Sequence, residues 1–256
     1  MLGCGAIGGA VARELRGGGV PGAELSGVVH GAGQDPPDLP VSTVEEVLER
    51  SDLVVECAGQ RALAETGPRV IASGADLLAV SIGALADLAL LTTLRDTGPG
   101  RLRLCSGAVG GLELLASAAR AGGLRAVRIV TTKKAATLAQ SWMDDQLARR
   151  VRSTAEPLEL MRGPAGEVAR AFPSSANVAA SVALAAGGWD FVEAAVVADP
   201  DASLTSHVID AEGSSGQYRF EIRNQPSARN PATSRVVAQA VLESLARIAS
   251  PTGAFA

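Results

Sequence analysis

The sequence predicts an α/β fold in which a doubly wound parallel sheet is followed by an inserted α+β domain and a C-terminal helix that returns to the sheet. Three observations support this prediction. Over the first hundred residues, apolar strand-like runs alternate with helical segments and short loops, which is typical of a parallel sheet covered on both faces. After Ser106 the rhythm changes to longer alternating runs. The chain then closes with one long helical segment.

The elements of the first domain follow from hydrophobic runs and helix-start signals. Only Met1 and Leu2 precede the first turn, so we expect a stunted first strand or a translation start further upstream. The segment from Ser42 to Glu46 holds two overlapping capping-box patterns and predicts a short helix that ends at Arg50. The other expected helices are 6–16, 62–73 and 85–97, and the other expected strands are 25–30, 52–57, 75–82 and 101–105.

The second domain is expected to contain an antiparallel sheet. Alternation of Val127 and Ile129 with Arg128 predicts a strand over 124–132 with one wet face. The run Gly213-Ser214-Ser215-Gly216 predicts a hairpin turn between strands 207–212 and 217–222. Further strands are expected over 157–161 and 191–198, and helices over 167–172, 178–186 and 233–248, whereas 134–154 carries no clear pattern. The expected domains are therefore 1–106 with about 231–256, and 107–230.

Composition restricts the classes of function. A net charge of −4 and a pI near 5.3 argue against nucleic acid or an anionic membrane as a partner. No apolar run is long enough to span a membrane and no secretory signal is visible, so we expect a cytoplasmic protein. Cys4, Cys57 and Cys105 border apolar stretches without metal-ligand spacing, which predicts buried, reduced thiols. With only two histidines in the chain, we expect no metal site.

The chain opens on Gly3-Cys4-Gly5-Ala6-Ile7-Gly8, a G-x-G-x-x-G turn followed at once by a helix. In this motif the first glycine permits a tight turn and the second lets the backbone approach a pyrophosphate. The third allows close packing of helix and strand, and the helix N-terminus offers free N–H groups to the phosphates. The sequence therefore predicts a Rossmann dinucleotide-binding domain, with Gly3, Gly5, Ala6, Ile7 and Gly8 at the cofactor.

Other cofactor contacts are expected at the carboxyl ends of the parallel strands. Cys57 and Ala58 follow one predicted strand and Ser81 ends another, beside glycines that allow close backbone approach. His30 stands 22 positions after Gly8, where an Asp or Glu normally accepts the adenosine ribose hydroxyl. Because that carboxylate is missing, the choice between NAD and NADP stays open.

Several residues of the second domain allow both a structural and a functional interpretation. The glycine-rich segment 106–111 is either a hinge or an anion site before a helix. The pair Lys133-Lys134 fits a solvated face, although a lysine in a cleft would suit a carboxylate. Asn177 fits a helix N-cap. His207 is able to act as an acid or base, although a lone histidine is more often structural.

Six ordered segments together make the chain resemble the L-aspartate dehydrogenase family over essentially its whole length. They are Gly3 to Gly8; Val54 to Gly59; Ser106 to Leu112; Phe172-Pro173 with Asn177 to Ala180; Ala198 to Pro200 followed by His207; and Asn230-Pro231 with Thr233-Ser234. The family often has Lys-Pro where this chain has Lys134-Ala135, and an asparagine where it has Ser175.

The resemblance implies a Rossmann domain joined to an α+β domain whose open sheet forms a homodimer. It implies oxidation of L-aspartate by NAD or NADP to iminoaspartate, which gives oxaloacetate and ammonia or feeds NAD biosynthesis. By the same resemblance His207 is the catalytic histidine, and Ala108 and Asn177 contact the cofactor. Substrate contacts are assigned to Lys134, Gly107, Val109 and Asn177.

Two alternatives stay open from the sequence. One is a related two-domain reductase of the dihydrodipicolinate-reductase or homoserine-dehydrogenase type. The other is a non-catalytic NAD(P)-binding redox sensor, for which the missing ribose carboxylate and Ser175 leave room. Assays of NAD(P)H absorbance with a panel of amino acids separate these possibilities.

Overall fold

The computed structural model describes residues 1–31, 38–173, 175 and 177–250. The chain forms two compact units, Met1–Gly107 together with the segment that begins at Val236, and Ala108–Arg235. The sequence placed the corresponding boundaries at residue 106 and at about residue 231.

The helices and strands are as follows, numbered along the chain. The helices are α1 Gly8–Arg16, α2 Val44–Arg50, α3 Gln60–Ser73, α4 Leu88–Asp96, α5 Leu112–Arg120, α6 Asp145–Ser153, α7 Ala165–Ala171, α8 Asn177–Ala186 and α9 Val236–Ala249. The strands are β1 Leu53–Glu56, β2 Asp76–Ala79, β3 Leu102–Leu104, β4 Leu124–Lys134, β5 Leu158–Pro164, β6 Val192–Asp199, β7 Thr205–Gly213 and β8 Gly216–Asn224.

The first unit contains a parallel sheet in the order expected of a dinucleotide-binding fold. Strands β1, β2 and β3 are adjacent and parallel. Single parallel bridges extend the sheet, because Leu2 pairs with both Val29 and Glu56, and Val28 pairs with Val41. In chain order the paired segments therefore lie 3-2-1-4-5-6, as in the Rossmann arrangement. The predicted fold class is confirmed. The stunted first strand consists of Leu2 alone, which forms one bridge to the neighbouring segment on each side.

Local signals explain the elements of this unit. Thr43 caps α2, since its Oγ1 accepts from Glu46 N at 3.2 Å while Glu46 Oε2 accepts from Thr43 N at 2.9 Å. The apolar run predicted as one strand over 75–82 divides into β2 and a short 3₁₀ helix, Ile82–Ala86. Periodicity cannot separate a buried strand from a buried helical turn in so short a run. Helix α9 returns to this unit and packs on α1.

The second unit contains one five-stranded sheet in the order β5-β6-β4-β7-β8. The expectation of an antiparallel sheet is wrong for one pair, because β4 and β6 run parallel. The chain between them passes through α6, β5, α7 and α8, which is long enough for the crossover that a parallel pair requires. The predicted hairpin is confirmed, with Gly213 opposite Gly216 and two serines between them.

The sheet of the second unit has two unlike faces. On the covered face, which we define by Ile129, Thr131 and Lys133 of β4 and the residues in register with them, side chains lie under α7 and α8. The opposite face, here called the open face, carries ion pairs such as Arg128 to Glu193 at 2.7 Å. Alternation along each strand assigns every side chain to one face or the other.

The segment without a clear sequence pattern is helical in part. Helix α6 begins after Asp144, whose Oδ1 accepts from Leu147 N at 2.7 Å. Just before it, Trp142 donates from Nε1 to Ala171 O at 2.7 Å and meets the ring of Phe172 edge-on at 5.7 Å. These contacts attach the segment to the body of the second unit. Across the described ranges, no helix is both long and apolar enough to cross a membrane.

Candidate functional site

The glycine turn at the start of the chain has the geometry that the motif predicts. Gly3 has φ +89°, and a Cβ there would lie 2.7 Å from Cys57 O. A Cβ on Gly8 would lie 2.1 Å from Gly3 O, so helix α1 approaches the turn as closely as a backbone allows. Gly5 is different, because it is exposed and a Cβ there would meet nothing within 4 Å. The first and third glycines are therefore required by packing, and the second borders open space.

The N-terminus of α1 presents backbone donors beside that space. Within the described residues, the N–H groups of Ala6, Ile7 and Gly8 have no acceptor, as expected at a helix start. The first turn of α1 also contains no acidic side chain. Free N–H groups, the positive end of the helix and an open Gly5 together suit a phosphate group. This part of the chain therefore fits the pyrophosphate of a dinucleotide.

A buried carboxylate organises the strand ends next to the glycine turn. Glu56 is fully buried, and its Oε1 accepts from Ala58 N and Gly59 N at 2.8 Å each and from Ser81 Oγ at 2.9 Å. Its Oε2 accepts from Ser81 N at 3.0 Å. These bonds fix the segments that follow β1 and β2, where Cys57, Ala58 and Ser81 were expected to face a cofactor.

Sequence reasoning did not single out Glu56. The available signal was an acidic residue inside the apolar run from Leu53 to Cys57, because a buried carboxylate has to be satisfied by donors. The expectation of buried thiols is wrong for Cys4 and Cys57, which are partly exposed, whereas Cys105 is buried. Cys4 and Cys57 lie in loops that follow paired strand residues, Leu2 and Glu56.

His30 lies at the end of the second paired segment, as the motif spacing predicts. It is partly buried, and its Nδ1 lies 2.8 Å from Gly31 O. Residues 32–37 lie outside the described residues. His30 as the residue at the adenosine ribose stays a prediction.

His207 occupies the covered face of the second sheet. It lies on β7 directly opposite Thr131 of β4, and its Nδ1 is 3.0 Å from Thr131 Oγ1. Only 2% of the residue is exposed. Burial, together with the nearby charge of Lys133, lowers the pKa of His207 to about 3. The imidazole is therefore neutral at neutral pH in the unliganded protein.

Lys133, not Lys134, shares the covered face with His207. Lys133 is 5% exposed and donates from Nζ to Ala232 O at 2.6 Å. Burial lowers the pKa of Lys133 to about 8. Lys134 is exposed and lies on the open face, since adjacent strand residues point to opposite sides. The structure therefore does not bring Lys134, the lysine assigned by resemblance, together with His207.

The glycine-rich segment after β3 is held in place by β8. Ala108 and Val109 are buried, and Ala108 O accepts from Asn224 Nδ2 at 2.9 Å. Gly111 has φ +82°, and a Cβ there would lie 2.6 Å from the ring of Phe220. Gly107, with φ +65°, is the last residue of the first unit before Ala108. Its predicted roles as a hinge and as a substrate contact stay predictions.

Asn177, for which the structural interpretation of the sequence is a helix N-cap, is the first residue of α8. Its carbonyl accepts from Ser181 Oγ at 3.1 Å, and the residue is partly exposed. Nearby Ser175 is 4% exposed, and its Oγ has no hydrogen-bond partner among the described residues. Roles of Asn177 toward cofactor or substrate stay predictions.

Comparison with known proteins decides the family. Residues 114–248 match the family model "Aspartate dehydrogenase, C-terminal", and residues 3–99 match "Homoserine dehydrogenase, NAD binding domain". The chain is 38% identical to L-aspartate dehydrogenase of Ruegeria pomeroyi, over 79% of this chain and 74% of the relative. The L-aspartate dehydrogenase of Methanosarcina barkeri is 34% identical over 98% of this chain and 96% of the relative. This chain belongs to the L-aspartate dehydrogenase family.

Solved structures agree on the fold of this family member. The crystal structure of aspartate dehydrogenase from Thermotoga maritima superposes with a TM-score of 0.74, at 23% identity, over 100% of this chain and 97% of that one. A myo-inositol dehydrogenase from Sinorhizobium meliloti, described as putative, gives a TM-score of 0.51 over 99% of this chain and 89% of that one. At 23% and 16% identity these two likenesses speak for the fold only. The match to homoserine dehydrogenase, a type named in one of the alternatives above, covers residues 3–99 of the NAD-binding domain.

Proposed function

We propose that this protein oxidises L-aspartate with NAD or NADP to iminoaspartate, which hydrolyses to oxaloacetate and ammonia. Relatives that carry the L-aspartate dehydrogenase name align over most of the chain. The observation that carries the proposal is His207, a neutral imidazole fixed by Thr131 on the covered face of the second sheet. A neutral imidazole is able to take a proton, which an amine oxidation requires.

The residues have separable roles in this proposal. When bound, NAD(P)+ accepts the hydride from the substrate Cα. Gly5 and the N–H groups of Ala6, Ile7 and Gly8 would hold its pyrophosphate. The Glu56 carboxylate fixes the strand ends on which Cys57, Ala58 and Ser81 would contact the cofactor. Each of these groups belongs to the first unit.

His207 handles protons in the second unit. Thr131 engages Nδ1 and therefore fixes the orientation of the ring, which leaves Nε2 to face the reacting amino group. An amine must be neutral before hydride leaves its carbon, so His207 would accept the ammonium proton. After releasing that proton to solvent, the neutral imidazole would orient the water that attacks the imine. Both steps use the same nitrogen, first as acceptor and then as partner of the attacking water.

The proposal is tested by an NAD(P)H absorbance assay in both directions, with L-aspartate and with oxaloacetate plus ammonia. We expect turnover, and we expect His207→Ala to lower kcat by roughly 10²–10⁴. NADH affinity should be unchanged in this variant, because the dinucleotide groups lie in the first unit. A folded wild-type protein that binds NADH and turns over no aspartate would instead favour the redox-sensor alternative.

A homodimer formed through the open face is part of this proposal. At its centre Val130 lies opposite Val208, and both are partly exposed. Ion pairs such as Arg128 with Glu193 flank them. An apolar centre with a charged rim is typical of a protein interface. Val208→Lys should therefore produce monomers in analytical ultracentrifugation, whereas Glu113→Lys, on exposed α5, should leave the dimer unchanged.

A cytoplasmic location is also proposed. In the described part of the chain the three cysteines, Cys4, Cys57 and Cys105, are free thiols. Thiols persist in reducing compartments, and a pool of NAD and NADP is present there. Fractionation of cells that express the tagged protein tests this placement.

A further inference from the structure

Lys133 is buried, and among the described residues no carboxylate pairs with it on its side of the sheet. The residues of the covered face follow from the strand register. They are Val127, Ile129, Thr131 and Lys133 of β4; Thr205, His207, Ile209 and Ala211 of β7; Tyr218, Phe220, Ile222 and Asn224 of β8; Val192, Ala194, Val196 and Ala198 of β6; and Leu158 and Met161 of β5. None of these described residues is a carboxylate.

The charged groups of the neighbouring elements point elsewhere. Glu193 and Asp199 of β6, Asp210 of β7 and Glu221 of β8 belong to the open face, by their register with Arg128, Lys134, Arg219 and Val208. Helix α8, which packs on β4, contains no titratable side chain. In the segment after β8, Arg229 and Arg235 are exposed. On α7, which packs on β5 and β6, Glu167 and Arg170 are exposed. Among the described residues, the titratable group beside Lys133 on the covered face is therefore His207.

A buried ammonium group normally has an anionic partner. Here the hydrogen bond of Lys133 runs to a neutral acceptor, the backbone carbonyl of Ala232. One carbonyl offsets only part of the cost of removing a charge from water. The site is thus suited to an anion that arrives from outside the chain, and a carboxylate is the anion of an amino-acid substrate.

We propose that Lys133 binds a carboxylate of the amino-acid substrate, and that this pairing turns His207 from a weak base into an effective one. The inference rests on the proposed function for the identity of the substrate. Lys133 and His207 lie on the same face of adjacent strands, with His207 opposite Thr131 and Lys133 two residues beyond it. A charge at Lys133 therefore acts directly on the imidazole.

The electrostatic argument has two parts. In the free protein the Lys133 cation disfavours a second positive charge on His207, which contributes to its lowered pKa. A bound carboxylate neutralises that cation and also raises the pKa of Lys133 itself. Proton affinity at His207 then increases only while substrate is bound. His207 would have a low proton affinity in the empty site and a higher one when substrate is bound.

Binding of succinate, a dicarboxylate without an amino group, tests the first part. Succinate is titrated calorimetrically into the wild-type protein saturated with NAD+, from pH 6.5 to pH 9.5. We expect affinity to fall above pH 8, where Lys133 loses its proton. Lys133→Gln should weaken binding by roughly 30-fold or more. Lys133→Arg should remain charged and so remove the fall in affinity at high pH.

The matched control is Lys134→Gln. It removes the same charge one residue away, on the exposed side of the same strand, so succinate affinity and its pH dependence should match wild type. Equal affinities in wild type and in folded Lys133→Gln would overturn the proposal. Absence of succinate binding by the wild-type protein would overturn it as well.

Imidazole NMR tests the second part on the wild-type protein. The chain has two histidines, so His207→Gln assigns the spectrum and His30 serves as the internal reference. Between pH 5 and pH 6, where succinate is still ionised, saturating succinate should shift the His207 resonances toward the imidazolium values, whereas the free protein, with a His207 pKa of about 3, should show a neutral imidazole. Unchanged His207 resonances with succinate bound would refute the coupling. Failure of the proposed function looks different, because aspartate turnover would be missing while the succinate response persisted.

Discussion

Replacing Lys133 by methionine should make the unliganded protein more stable. The folded pKa of Lys133 is about 8 against an ordinary value of 10.5. A difference of about 2.5 units corresponds to a penalty of roughly 3 kcal/mol for the buried charge at pH 7. Loss of the bond to Ala232 O reduces the gain by about 1–2 kcal/mol. We therefore expect Lys133→Met to raise the free energy of unfolding by roughly 1–2 kcal/mol.

The pH dependence of this effect has a defined sign. Between about pH 8 and pH 10.5 the unfolded chain keeps the Lys133 proton that the folded protein has lost. Wild-type stability should therefore rise with pH over that range through this residue, and the advantage of Lys133→Met should shrink. Urea unfolding at pH 7 and pH 9.5 measures both quantities. The two tryptophans, Trp142 and Trp189, lie in the second unit, so their fluorescence reports its unfolding.

Lys134→Met is the control for this experiment. Its side chain is exposed on the open face, so the free energy of unfolding should stay within about 0.5 kcal/mol of wild type. The reasoning is refuted if Lys133→Met unfolds at a lower urea concentration than wild type at pH 7. It is also refuted if the difference between the two proteins does not change with pH.

Three further outcomes follow from the structure. The pKa of His207 is about 3 in the folded protein against an ordinary value of 6.5. Wild type should therefore lose roughly 1.4 kcal/mol of its free energy of unfolding for each pH unit below 6.5. His207→Gln should lose less, as measured by urea unfolding at acidic pH. Gly5→Ala should leave thermal unfolding nearly unchanged but weaken NADH binding in a fluorescence titration, whereas Gly8→Ala should lower the melting temperature because its Cβ would lie 2.1 Å from Gly3 O. His30→Asp should shift the ratio of kcat/KM values toward NAD, since a carboxylate repels a 2′-phosphate; a wild-type enzyme already strict for NAD would contradict this reasoning.

Short-range signals account for the parts of the fold that the sequence predicts well. The capping box of Thr43 with Glu46 and the two-serine hairpin between Gly213 and Gly216 each involve residues a few positions apart. Their physics is local, so the sequence alone specifies them. The contact of Gly8 with Gly3 behaves likewise, because the two glycines are five positions apart.

Non-local choices could not be predicted in the same way. The parallel pairing of β4 with β6 depends on how the intervening residues 135–191 fold back, a property that strand periodicity does not encode. Helix α6 was not predicted from the sequence, because the segment is strongly polar and Val151 is its one buried residue. Its apolar residues are only Leu147, Ala148 and Val151, so the helical spacing of Leu147 and Val151 is too short a pattern to identify a helix from sequence.

Strand parity in the sequence already indicated which of the two adjacent lysines lies on the covered face. The sequence already placed Val127 and Ile129 on the inner side of β4. Two further steps of the same alternation put Lys133 inside and Lys134 outside, which is what the structure has. Resemblance named Lys134 because it precedes the position of a family proline. A period of two leaves no freedom once one residue of a strand is placed, so parity assigns Lys133 to the covered face, whereas Lys134 as a substrate contact stays a prediction.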